Sequence, residues 1–371
     1  MSGQFHAQHP DAVIVNATLG PGDASVTEAT LRNRILAADP PDSFQARAGE
    51  GFNRTWVATG FMEPLDDVYE KSGFHDAFPP RLLEIVSHEG HPYSVPVNIH
   101  RANVLWYNKA LFDANRIDPA TLGTFEGWRA VAETLEAAGV APLALGDNAP
   151  WVTSHLFEVV LIGTLGSDAY NGLWTGQTDW NGTAVTQALE NFRMMVGYAN
   201  PDHSNLTWDQ ANQLVIEGKA AMTIMGDWVD SDYVAKGFTG YGWAPPPGNQ
   251  GVYDALSDGF GLPKNSPHPE LMKEFLGVLG SKEGQETFAK LTGSICARTD
   301  CDYSDFDSYL QSSAAAWKTD TIVPSVASGA AASETWTANL IEAVGEFVTN
   351  GNVAAAQGAL AQACVDAGVC Q

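Results

Sequence analysis

The chain reads as an α/β protein of two domains, and three observations carry that reading. Its 371 residues exceed what one hydrophobic core usually supports, since single cores stop growing at roughly 250 to 300 residues. Hydrophobic residues make up 44% and aromatic residues 10%, the balance of a globular rather than a disordered chain. Short stretches of period-two or continuous apolar character alternate with amphipathic helical stretches, the rhythm of β-α-β units.

The elements follow in order. "DAVIVNAT" (11–18) alternates apolar and polar and predicts a strand; "TEATLRNRILAAD" (27–39) predicts a helix with Leu31, Ile35 and Leu36 on one face; "SFQARAG" returns to extended character. A parallel sheet beginning this way ordinarily has an earlier strand and helix. Farther on, Glu89-Gly90 marks a turn between two apolar runs. His88 and His91 flank it three residues apart, not four apart on a helix, so they read as solvated turn residues and not as a zinc pair.

In "VPVNIHRANVLWYNKALF" (95–112), His100 and Arg101 interrupt an apolar run. The strand is therefore an edge, or it ends at a polar site. "GTFEGWRAVAETLEAAG" predicts a helix capped by Thr124, with Trp128, Val131, Ala132 and Leu135 inward and Gly139 closing it, before the strand "APLAL". "LTWDQANQLVIEGKAAMTIMGDWV" gives a helix, a stop at Gly218 and a strand whose end gathers polar and aromatic residues. "YDALSDGFGLPK" is a strand; a helix on Leu271, Phe275, Leu276 and Leu279 follows, and the last quarter is helical and alanine-rich.

Composition also excludes. No window holds 18 uninterrupted apolar residues, so no membrane span is expected. The opening "MSGQFHAQHPDAV" lacks the basic and apolar regions of a signal peptide. Nineteen Lys and Arg against 44 Asp and Glu give a formal charge of −25, which repels nucleic acid and anionic lipid. Nucleic acid is thus not an expected partner, and the same acidity favours a soluble monomer in a saline or extracytoplasmic setting. Cys296, Cys301, Cys364 and Cys370 lie in two local pairs, although four cysteines allow three pairings. Their spacing, without adjacent histidines, is poor for zinc; disulfides in an oxidising compartment are expected, with buried free thiols as the alternative.

Taken together, "VPVNIHRANVLWYNKALFDANRID", "TFEGWRAVAETLEAAG", "GKAAMTIMGDW", "LSDGFGLPK" and "GSKEGQETFAKLTGSICAR" resemble the extracytoplasmic sugar-binding receptors of ABC importers, family 1 solute-binding proteins, and within them the glucose-binding branch. The likeness runs from about Ala12 to near the C-terminus. It implies a type II periplasmic-binding-protein fold: two α/β lobes, residues 1–107 with 258–300 and residues 108–257 with 301–371, joined by hinge crossings around a ligand cleft that closes on the sugar. It further implies high-affinity capture of a neutral mono- or small oligosaccharide, delivery to membrane permease subunits, a periplasmic or cell-surface location, no cofactor, no metal and no catalysis.

A sugar presents apolar C–H faces and a belt of hydroxyls, so its site needs aromatic planes and bidentate polar edges. By the resemblance Trp208, Trp228 and Asp258 are sugar contacts. Each has an ordinary reading beside it: a tryptophan on an α/β sheet is commonly core, and Asp227 beside Trp228 suits a helix N-cap. Asp258, an acid inside an apolar strand, must find donors. Gln45 and Arg47 stand where the glucose binders resemble Q-x-H-A-G, with arginine for histidine; Thr292 replaces a lysine and Ser328 a second histidine. Arg47 either supplies the missing donors or pairs with Asp258. Specificity is therefore expected to have moved from glucose to another neutral monosaccharide or a small disaccharide. His100 falls at the implied cleft rim as a candidate ligand edge, with a hinge or supporting role as the alternative.

Family members open with a strand bearing two aromatics and an acid, which is not found ahead of "MSGQFHAQHPDAV". The expectation is a first-lobe sheet without a central strand, and low stability and weak binding that upstream residues restore. Two rival functions remain. A glycosidase would use Asp227 and Asp258 as its carboxylates, and a calcium-stabilised carbohydrate-adhesion module would use Asp300, Asp302, Asp305 and Asp307 of "DCDYSDFDSYL". That loop lacks the glycine and terminal glutamate of an EF-hand, which favours a solvated acidic loop. The loop reading predicts an unchanged melting temperature when calcium is added, measured by thermal shift.

Overall fold

Backbone pairing divides the chain into two units, residues 1–99 with 257–305 and residues 100–256 with 306–371. The structure, a computed structural model, describes residues 2–17 and 24–370. Among them the strands are β1 (Phe44–Arg47), β2 (Ser87–His88), β3 (His91–Pro92), β4 (Ser94–Pro96), β5 (His100–Arg101), β6 (Val104–Asn108), β7 (Ala141–Leu143), β8 (Ala220–Met225), β9 (Tyr241–Ala244), β10 (Val252–Leu256), β11 (Asp258–Gly261) and β12 (Thr321–Pro324). The first passage between units falls after Ile99, not after residue 107, because β6 hydrogen bonds with β8 and β9 of the second unit. The later passages fall after Leu256 and Asp305 instead of after residues 257 and 300.

In the first unit the sheet runs β1-β11-β4, antiparallel throughout. Alternation along β1 sets its two faces. Phe44 and Ala46 join a core of Phe52, Trp56, Val57 and Met62, while Gln45 and Arg47 are exposed. The helix Ala24–Leu36 lays Leu31 and Ile35 on that core. Leu36, expected on the same face, is 63% exposed. The strand expected from "DAVIVNAT" is absent over residues 12–17, where Val13 and Val15 are exposed; Thr18 lies outside the described residues. Period-two alternation makes a strand only where a neighbour supplies its hydrogen bonds. The turn at Glu89-Gly90 has positive φ at both residues (52° and 87°), the backbone of a tight hairpin between β2 and β3, and His88 and His91 face each other across it.

The second unit holds two sheets. One is β7-β8-β6-β9, with β7 and β8 parallel and the other pairs antiparallel; the other is β12-β10-β5, with β12 and β10 parallel. The helix Phe125–Ala137 starts at Thr124, whose hydroxyl accepts from the Gly127 N–H at 3.0 Å, and buries Trp128, Val131, Ala132 and Leu135. The helix Trp208–Ile216 opens with a reciprocal Thr207/Gln210 capping box. Between the helices Thr183–Val196 and Glu334–Asn350 runs Pro150–Leu165, buried continuously from Val152 to Ile162. That helix carries His155 and Glu158 into the interior.

The cysteines pair as Cys296–Cys301 in the first unit and Cys364–Cys370 in the second. The second bond ties the end of the helix Val353–Asp366 to the chain beyond it. A six-residue loop removes on the order of 2 kcal/mol of unfolded-state freedom in the chain-entropy description. Replacing both Cys364 and Cys370 by serine is expected to lower stability by about that amount, read as the midpoint of denaturant unfolding with an unchanged slope.

Candidate functional site

In the first unit, Asp258 opens β11 opposite Arg47 of β1. Its carboxylate accepts from the Gln45 side-chain amide at 2.7 Å and the Asn98 amide at 3.2 Å, while the Asn98 side-chain oxygen accepts from the Asp258 N–H at 2.8 Å. The donors that a buried acid requires thus include two amides of the protein itself. Asn98, which is fully buried, was not singled out from sequence; its signal is an asparagine amid the apolar run "SVPVNI". Gln45 and Asp258 come together as a polar pair, with the exposed Arg47 beside them. Thr292 ends the helix Lys282–Thr292, and its hydroxyl is engaged locally, with the Phe288 carbonyl at 3.0 Å and the Ser294 hydroxyl at 2.7 Å.

In the second unit the centre is Asp227, fully buried just past the end of β8. It occupies the N-cap position of the helix Trp228–Ala235, but its side chain makes no capping bond. Instead the carboxylate accepts from His100 Nδ1 and, at 2.8 Å, from the Arg101 N–H, while the Asp227 N–H returns to the Arg101 carbonyl at 2.9 Å. The polar pair in the apolar run is explained by this link. Arg101 turns away: its guanidinium donates to the Val252 carbonyl (2.9 Å), meets Asp320 (3.3 Å) and lies 5.0 Å over the Tyr253 ring. His100 is buried rather than an open edge, and its ring stands edge-on to Trp228 at 5.5 Å.

Trp228 is half-buried and gathers two further rings, Trp151 at 6.3 Å and His155 at 5.9 Å. The indole lies against the strand end, so a Cβ on Gly226 would sit 2.2 Å from it. Trp151 and His155 were not foreseen from sequence; both sit on the helix that begins "PWVTSH", four residues apart and hence on one face. Trp208 is half-buried at the start of its own helix, and the described ring contacts do not join it to the Trp228 group. Ser328 is held within its own turn, its hydroxyl 3.0 Å from that of Ser325.

Burial dominates the electrostatics of this unit. It pushes Asp227 up against the opposing pull of His100 and the Arg101 N–H. Asp230 rises to about 7 through burial, with the Tyr241 hydroxyl opposing and Asp307 and Asp227 adding repulsion. His155 is lowered to about 4 by burial, opposed by a hydrogen bond to the Ala102 backbone, and its ring is therefore neutral near pH 7. In the acidic loop, Asp300 is held down by Arg298, Asp302 by the Ser304 N–H, and Asp307 caps the helix Ser308–Ala316 through the Leu310 N–H.

The family of bacterial extracellular solute-binding proteins matches residues 1–286. This chain belongs to that family. The solute-binding protein is 36% identical over 95% of its length to an uncharacterized ABC transporter extracellular-binding protein of Pyrococcus horikoshii, covering 80% of that relative. It is 30% identical over 82% of its length to the xylose/arabinose-binding protein XacG of Haloferax volcanii, covering 67% of it. Its fold is that of the bacterial solute receptor AcbH, described as preferring β-D-galactopyranose, with a TM-score of 0.86, 20% identity and coverage of 99% of this chain and 93% of that one.

The buried carboxyls give the solute-binding protein a pH signature. An acid whose folded value is raised holds its proton in the native state; its contribution is full below the unfolded value and is lost as pH rises to the folded one. Glu158 and Asp230 lose theirs between unperturbed values of 4.5 and 3.8 and about 7. His155, a base depressed from 6.5 to about 4, gains over that interval and offsets one of them. Thermal unfolding is accordingly expected at a higher temperature at pH 5.5 than at pH 8, and Asp230→Asn is expected to reduce the difference.

Proposed function

We propose that this protein captures a neutral mono- or small oligosaccharide with high affinity and delivers it to the permease of an ABC importer, working outside the cytoplasmic membrane as a monomer and performing no chemistry on its ligand. The observation that carries the reading is the half-buried indole pair of Trp151 and Trp228, with His100 edge-on to Trp228 and fixed by Asp227. Aromatic planes beside fixed polar groups suit a sugar's C–H face and hydroxyl belt. In the first unit, Gln45, Arg47 and Asp258 supply hydrogen-bonding groups of both kinds, and Trp208, Thr292 and Ser328 complete the proposed contacts.

The arginine at position 47, and the hydroxyls at 292 and 328 that are already engaged locally, support a ligand other than glucose. The pentose-binding name of the Haloferax relative is in keeping with another neutral monosaccharide. Asp227, the carboxylate a glycosidase would need free, is occupied by His100 and the Arg101 N–H; the purified protein is expected to hydrolyse no glycoside.

A thermal-shift panel of pentoses, hexoses and disaccharides tests the reading. A selective rise in melting temperature with one neutral sugar is expected, and no rise with any sugar would overturn the reading. Trp228→Ala is expected to weaken the responding sugar by about 2 kcal/mol, ~30-fold in Kd, measured by calorimetric titration.

A further inference from the structure

Glu158 is an acid on an otherwise apolar helix, Pro150–Leu165, and it is fully buried. A carboxylate there is costly unless donors surround it. It accepts from the Tyr170 hydroxyl at 2.6 Å, the Ser325 hydroxyl at 3.1 Å, the Val326 N–H and, at 3.3 Å, the Ala327 N–H. Three of these four donors belong to the turn that leaves β12 and carries Ser328. The Ser325 N–H also donates to the Ala255 carbonyl of β10 at 3.0 Å and the Thr337 hydroxyl to the Val326 carbonyl at 3.5 Å, and further bonds lie within the turn. The Ala330 N–H returns to the Ser325 carbonyl, the Gly329 N–H to that of Val326, and the Ser325 hydroxyl accepts from the Ser328 N–H at 3.2 Å.

We propose that Glu158 is a positioning residue for sugar recognition: its carboxylate fixes the 325–331 turn and so sets where Ser328 presents its hydroxyl. The inference rests on the reading of Ser328 as a sugar contact. The geometry demands a carboxylate and not merely a side chain of that size. Four donors point at it, and an ionised carboxylate accepts from all of them. A glutamine would set its amide N–H against one of the two backbone N–H groups, leaving a buried group unpaired. A protonated carboxyl, which can donate to the Tyr170 hydroxyl as that hydroxyl turns to the Pro324 carbonyl at 2.9 Å, keeps only one strong acceptor oxygen for the turn.

The same helix carries Trp151 two turns earlier, on the same face as Glu158, so one rigid element supports both the aromatic platform and the turn. The groups acting on Glu158 and its neighbourhood are Tyr170 on the helix Ser167–Thr175, Asp254 on β10, whose carboxyl has no hydrogen-bond partner among the described residues, and Arg101 on β5, which acts on Asp254. Burial raises the Glu158 carboxyl to about 7 while its donors oppose the rise. The anchoring of the turn therefore changes near neutral pH, in the direction of release as the pH falls.

The test is calorimetric titration of the sugar that responds in the thermal-shift panel, from pH 5.5 to 8.5, on wild type, Glu158→Gln and Ser325→Ala. Wild-type affinity is expected to fall about tenfold from pH 8 to pH 5.5. Glu158→Gln is expected to bind about tenfold more weakly at pH 8 and to show no pH dependence, and Ser325→Ala to bind more weakly with the pH dependence kept. Wild-type Kd values and an unaltered pH profile in both variants would overturn the inference while leaving sugar binding in place. If Glu158→Gln does not fold, Ser325→Ala and the wild-type profile decide, and a flat wild-type profile overturns it. Absence of sugar binding by every form overturns the functional reading, and this inference with it.

Discussion

The second unit depends on one buried carboxylate. Asp227 joins the end of β8 to β5 through His100 and through the Arg101 backbone, whose N–H donates to the carboxylate and whose carbonyl accepts from the Asp227 N–H. Without those donors a carboxylate at zero exposure would be among the most expensive groups a protein can bury. With them, it fixes the imidazole that meets Trp228 and orients the backbone from which Arg101 reaches Asp320 and Tyr253. The neighbouring Gly226 completes the arrangement, since the indole occupies the space a side chain there would need. An otherwise odd run of residues, a histidine and an arginine inside a strand and an aspartate before a tryptophan, is thus one hydrogen-bonded unit.

A second theme is the use of acids in place of packing. Glu158, Asp230 and Asp254 are raised chiefly by burial, and each occupies an element whose other residues are largely apolar or aromatic. Apolar replacements of similar volume would often serve stability as well or better. Glu158 shows what the acid adds: just past the last ladder bond of β12, from the Ser325 N–H to the Ala255 carbonyl, it takes up backbone N–H groups that a hydrocarbon leaves unpaired.

Much of the architecture was legible in the sequence because local rules coincided with tertiary ones. The Thr124 cap, the inward face of Trp128 to Leu135, the Gly218 stop and the Glu89-Gly90 turn are each set by neighbours a few residues away. Where pairing over distance decides, the signal failed. Residues 12–17 alternate properly but form no strand pairing among the described residues, and the passage after Ile99 depends on β6 joining β8 and β9. Of the candidate residues, the meeting of Gln45 with Asp258 and of His100 with Trp228 is visible only once the strands are in register. Trp151, His155 and Glu158 were not singled out from sequence, because the helix that carries them is otherwise so apolar that its pattern is that of a buried core helix.

The discontinuity of both units also bears on how the chain matures. β1 closes its sheet with β11, and Gln45 meets an aspartate 213 residues further along. Loop closure over such a span is paid before any contact rewards it, which makes folding slow and dependent on nearly the whole polypeptide. The first unit therefore stays open through the synthesis of most of the second, and β1 and β4, whose partner is β11, pass that interval unpaired and liable to misassociate. A charge of −25 keeps such chains apart, so the acidity of the surface serves the nascent protein before it serves the folded one.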